Sequence, residues 1–123
     1  MREILFRGKS KDTGKWVYGN LIQQAKMFYI GVLDLRTKER KMESYGEPLD
    51  IFVDPKTVGQ YTGITDIKGN KIFEGDILLV TGSWKVRVEY LRGYGKYIVT
   101  AGEGVFKNLH EVADNAEIIG YVH

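Results

Sequence analysis

No stretch of this chain repeats apolar residues at helical spacing for three turns or more. That limits the fold more than any other feature, because the crossover of a parallel βαβ unit needs such a helix. Antiparallel strands are what remain. The segment Lys85-Val86-Arg87-Val88-Glu89-Tyr90 carries the clearest pattern. Val86, Val88 and Tyr90 face one way, and Lys85, Arg87 and Glu89 the other, which predicts a strand with one buried and one wet face. The 15 glycines against 2 prolines, with 8 Tyr, 5 Phe and 2 Trp, fit many short strands joined by tight turns.

Residues 3–8 read as a first strand, with Ile4 and Phe6 on one face and Leu5 and Arg7 on the other. A turn at residues 11–15 leads to a second strand from Trp16 towards Ile22, making a hairpin. Residues 27–33 are nearly continuously apolar, which predicts a strand buried on both faces. Residues 36–41 are charged without apolar periodicity and read as a solvated loop or exposed hairpin, followed by an irregular stretch at 44–48. Residues 49–53 form a short strand, and Asp54-Pro55 opens a short helix, with Asp as cap and Pro at its first position. Next come turns at 66–70 and 74–76, a buried strand at 77–80 and a turn at Gly82-Ser83. Gly93-Tyr94-Gly95 leads into a strand at 97–99, Gly102-Glu103-Gly104 marks a loop, residues 108–114 make one helical turn, and 116–122 form the last strand. The expected fold is mostly β: an antiparallel N-terminal sheet over residues 1–56, packed with a small SH3-like C-terminal β-barrel over residues 57–123.

The segment Val58-Gly59-Gln60-Tyr61-Thr62-Gly63-Ile64-Thr65-Asp66, followed by Lys68-Gly69-Asn70-Lys71-Ile72-Phe73-Glu74-Gly75-Asp76-Ile77, resembles the YopX-like family of bacteriophage and prophage proteins. So do the opening Met1-Arg2-Glu3-Ile4, the strand Lys15-Trp16-Val17-Tyr18-Gly19 and the late Ile118-Ile119-Gly120. The resemblance implies a β-rich fold with a barrel-like C-terminal part and self-association, and lends no reaction. Members often continue past the last glycine with an Asn, an aromatic residue and a Pro-containing tail. Here Tyr121-Val122-His123 follow Gly120, so a function vested in that tail is not expected. Read as backbone mechanics, Gly69 supplies positive φ in a hairpin turn, Gly75 a tight entry to a strand, and Asp76 a carboxylate that accepts backbone N–H groups. The functional alternative is a groove lined by Gln60, Tyr61, Thr62, Glu74 and Asp76.

Arg92-Gly93-Tyr94-Gly95 matches the first four positions of the RNP1 pattern, but the next position, which should stack a base, holds Lys96. A glycine hairpin explains the segment. A looser surface of Trp84, Tyr94 and Tyr97 beside Lys85, Arg87, Arg92 and Lys96 suits base stacking near phosphate. Asp12-Thr13-Gly14 reads as a turn, since polar Ser10-Lys11 replace the apolar strand before a protease aspartate. Glu74 with Asp76, or Glu43 with Glu47, are pairs whose spacing does not establish convergence. With His110 and His123 as the histidines and no cysteine, no zinc site or cofactor is expected. No phosphate loop, dinucleotide fingerprint or nucleophile elbow occurs.

The net charge of +2 neither demands nor excludes an acidic partner. Arg7 interrupts the first apolar run, and no run approaches the length of a membrane helix, so a cytoplasmic protein of a bacterial host is expected. The leading expectation is a non-enzymatic phage or prophage accessory protein that self-associates and binds a phage or host protein. The alternative is a small β-barrel that binds nucleic acid.

Overall fold

Residues 3–43, 46–102 and 106–123 are described by the structure, a computed structural model. The expected family start at Met1-Arg2, part of the irregular stretch at Ser44-Tyr45 and the Glu103-Gly104 loop lie outside them. Two compact units are present, Met1–Gln60 and Tyr61–His123.

The first unit contains β1 (Phe6–Lys9), β2 (Trp16–Gln24), β3 (Met27–Val32) and β4 (Asp50–Val53), hydrogen-bonded in the order β4-β3-β2-β1 with every pair antiparallel. The alternation at the start of the chain resolves with Leu5 and Arg7 inward and Ile4 exposed. Arg7 tolerates this because its guanidinium carbon lies 4.2 Å from the centroid of the Trp16 ring, whose electron-rich face accommodates a cation. Between β1 and β2, Ser10 Oγ accepts the N–H groups of Asp12 and Thr13, and Gly14 adopts φ +71°, so Asp12-Thr13-Gly14 is a turn.

One expectation for this unit is corrected. β3 is buried only at Ile30 and Gly31, and Met27 is exposed, although the strand reads as apolar throughout. In an antiparallel sheet a strand can run past the core towards its hairpin, and there apolar composition does not enforce burial. The charged stretch forms an exposed turn in which Asp34 Oδ1 accepts from the Arg36 N–H at 2.9 Å, closed by a bridge between Leu33 and Arg40. Asp54 caps a short 3-10 turn, Pro55–Thr57, by accepting from the Lys56 N–H, as its sequence implies.

β5 (Gly59–Thr65) carries the chain onward. Its first two residues pair with β1, and from Tyr61 it pairs with β6 (Lys71–Phe73). The second unit then builds β7 (Asp76–Val80), β8 (Trp84–Leu91), β9 (Lys96–Thr100), β10 (Phe106–Asn108), α1 (Leu109–Val112), a 3-10 turn (Ala113–Asn115) and β11 (Ala116–Tyr121). Five strands form an antiparallel sheet in the order β10-β9-β8-β7-β11. Leu78, Val80, Val86, Val88 and Val99 project from one face into the core.

The expected SH3-like barrel is not seen as a closed sheet: among the described residues β10 and β11 do not pair. Closing a barrel requires matched tilt and stagger of its end strands. Here α1 and the following turn connect those strands and place Leu109, Val112 and Ala113 in the same core. Tyr90, expected inward with Val86 and Val88, is instead 43 % exposed. β8 runs past the core at that point, and the Tyr90 ring leans edge-on against Tyr97 with centroids 5.0 Å apart.

Gly19 shows how closely the first sheet is packed. A Cβ built there would collide with the carbonyl oxygen of Gly31, which is backbone and cannot swing away. Gly19→Ala should therefore destabilise the protein by about 1–3 kcal/mol, as overpacking against fixed backbone does. Urea denaturation measures this, and a midpoint unchanged from wild type would contradict the close approach.

Candidate binding surface

The expected groove residues divide between backbone support and a ring cluster. Gly75 takes φ +92°, its N–H donates to the Val88 carbonyl at 2.9 Å, and its carbonyl accepts from Val122 at 2.8 Å. Asp76 Oδ2 accepts the Phe73 N–H at 2.8 Å, and the residue is 1 % exposed. The Thr62 hydroxyl donates to the Ile72 carbonyl at 2.8 Å. Tyr61 is buried with its ring tilted on Phe73 at 5.6 Å, and Lys71 Nζ stands 5.2 Å from the Tyr61 centroid. Glu74 is half-buried in the turn, and Gln60 is half-buried opposite Phe6 at the end of the first unit. Glu43 and Glu47 are linked through backbone, N–H to carbonyl at 2.7 Å.

Asp66 lies in the same segment, and its sequence signal is only that of a turn. Oδ1 accepts from the N–H groups of Lys68 and Asn70, each at 2.9 Å. Oδ2 accepts from Ile118 N–H on β11 at 3.1 Å. Burial pushes this carboxyl up, but the backbone N–H groups of Ile118, Asn70 and Lys68 outweigh it and hold the group below its ordinary value of 3.8.

The aromatic and basic residues of β8 and β9 separate by position along the strand. Trp84 and Lys85 begin β8, whereas Arg92, Tyr94 and Lys96 sit at the turn after it. Eight residues of strand put those ends roughly 24 Å apart. Tyr94 is 75 % exposed, with Lys96 Nζ 5.9 Å from its ring centroid. Trp84 is half-buried against the core and Tyr97 is buried, so neither offers an open ring face to the turn.

Lys85 and Arg87 are brought together with residues the sequence does not single out. They border an open depression of about 460 Å³ with Ile77, Thr100, Tyr121 and Val122. Arg87 Nη2 lies 3.6 Å from Glu89 Oε2, and the Thr100 hydroxyl donates to that same oxygen at 2.8 Å. Tyr121 reaches the site because β11 pairs with β7, across a sequence separation that local periodicity does not convey.

Among the described residues no three His, Asp or Glu side chains gather as a metal site, and no helix is long and apolar enough to cross a membrane. The family model described as YopX protein matches residues 5–123. No curated protein matches the chain.

A carboxyl whose value is lowered on folding stabilises the protein above its unfolded-state value, and that contribution fades as pH falls through the folded one. Asp66 should therefore contribute fully at neutral pH and lose that contribution as pH falls below 3.8 and through its lower folded-state value. Asp66→Asn keeps one acceptor oxygen where two serve opposite sides, and should cost about 1–3 kcal/mol at neutral pH. Urea titrations across the acid range should show the wild type and Asp66→Asn converging as pH drops. A constant gap between them would refute the role of the charge.

Proposed function

Because the chain belongs to the YopX family, we propose that it is a phage- or prophage-encoded accessory protein that acts by binding, not catalysis, with a second copy of itself as its primary partner. The observation that carries this reading is the exposed apolar end of β11. The first half of the strand is covered: the Ala116 carbonyl accepts from Ile67 N–H, and Ile118 N–H donates to Asp66. Beyond Ile118 the register shifts, and Ile119, Tyr121 and Val122 are 45 %, 44 % and 39 % exposed.

Sheet edges are ordinarily guarded by charge, proline or cover, because an open edge templates pairing with another strand. Successive apolar side chains there mark a contact surface. Strand addition would supply main-chain hydrogen bonds, and Ile119 and Tyr121 the buried side chains. The non-catalytic reading is supported by Asp76 and Thr62, whose polar groups already serve buried backbone partners, leaving Glu74 without a converging carboxylate from Asp76. It needs no cofactor, and a bacterial cytoplasm suits a chain without cysteine. A phage or host protein could take the same edge.

Sedimentation equilibrium from about 1 to 100 µM, the span of ordinary reversible self-association, tests the reading. The wild type should associate, and Ile119→Lys should run as a folded monomer with an unchanged circular dichroism spectrum. A wild type that stays monomeric throughout would rule self-association out.

A further inference from the structure

The turn between β8 and β9 is a second exposed feature of the five-stranded sheet, and β7 separates its strands from β11. Its geometry is fixed from within. The Tyr94 N–H donates to the Leu91 carbonyl at 3.3 Å. Gly93 and Gly95 take φ +85° and +63°, where a side chain costs energy. Behind the turn, the Tyr90 ring leans edge-on against Tyr97. The Tyr90 hydroxyl lies close to Gly95, 3.8 Å from where a Cβ would stand. β8 and β9 therefore present a braced turn and not a loose loop.

Tyr94 stands in this turn at 75 % exposure, the highest of the large hydrophobic side chains among the described residues. Open space lies beside it, since a Cβ on Gly93 would meet nothing within 4 Å. Lys96 Nζ lies 5.9 Å from the ring centroid, and Arg92 is exposed two residues before the ring. Residues 90–102 contain these two cations and no Asp or Glu, so Arg92 and Lys96 give the turn a charge of +2. Register sets Lys96 opposite Leu91, on the face of β8 that also carries Lys85 and Arg87. Glu89 on that face is offset by Arg87 at 3.6 Å and accepts from Thr100. Positive potential therefore extends from the turn along one face of the strand.

We infer that this turn binds single-stranded nucleic acid, with a base stacked on Tyr94 and the flanking phosphates on Arg92 and Lys96. Charge and shape together select that partner. An acidic peptide would use the cations and leave the ring idle. Docking on an anionic membrane needs more buried apolar area than one ring, and Leu91 beside it is half-buried already. A duplex keeps its base faces stacked away and offers phosphates alone. A single strand offers a π-face and charge side by side, as the ring and the Lys96 ammonium do. Stacking accepts any base, so the turn tolerates sequence and discriminates by strandedness.

Fluorescence anisotropy of a labelled oligothymidylate at low salt tests the inference, with duplex DNA, polyglutamate and phosphatidylserine vesicles as competitors. The wild type should bind, with affinity falling steeply as salt rises. Tyr94→Ala should weaken binding roughly 5- to 100-fold, the loss of one stacked base, whereas Tyr94→Phe keeps the ring and should bind as the wild type does. Arg92→Gln with Lys96→Gln should flatten the slope of log affinity on log salt by about 1.4, two phosphate contacts at ~0.7 each. All three side chains are exposed, and melting curves check that each variant is folded. In an Ile119→Lys background the loss on Tyr94→Ala should persist, which separates this site from self-association. No binding at low salt, binding indifferent to Tyr94→Ala, or equal competition by duplex, polyglutamate or vesicles would overturn the inference.

Discussion

A carboxylate with two oxygens facing opposite ways joins the second unit. Asp66 Oδ1 closes the turn before β6 through Lys68 and Asn70, while Oδ2 reaches Ile118, 52 residues further on. Neither a hydroxyl nor an amide can do both, because only an ionised carboxylate presents two acceptors and no donor. The charge also strengthens each bond relative to a neutral acceptor. This one side chain ties β11 to the turn before β6, alongside the ladder that pairs β11 with β7. Asp76 plays a smaller version of the part three residues past β6, where it pins Phe73 and lets Gly75 contact both β8 and Val122. Of the carboxylates weighed as acid–base pairs, Asp76 is thus spent on a backbone N–H group.

This division of labour has a consequence for the edge. Asp66 and Ile67 cover β11 only as far as Ile118. A bulge at Ile119 then alters the pairing, and bulges commonly serve to blunt an edge. Here the blunted half is also the apolar half. A fold that covers one half of an edge strand and leaves hydrophobic side chains on the other has placed its exposed apolar surface where a second strand can meet it.

Much of the fold is legible locally. Lys85 to Glu89 alternate as written, Asp54-Pro55 caps its turn, and Gly69 and Gly75 take positive φ at 82° and 92°. Each of these depends on neighbours within a few residues. Period-two alternation tells which residues share a face but not which face is inward, and so the choice of Leu5 and Arg7 over Ile4 and Phe6 waits on Trp16 across the hairpin. Barrel closure is a property of how the end strands β10 and β11 tilt and stagger, which local pattern does not convey; they do not pair although only α1 and a short turn, whose Leu109, Val112 and Ala113 enter the core, connect them. The apolar run at β3 misleads because antiparallel hairpins extend past their core. The candidate surface divides for a related reason. Trp84 to Tyr97 are near in sequence, but an extended strand sends its two ends away from each other.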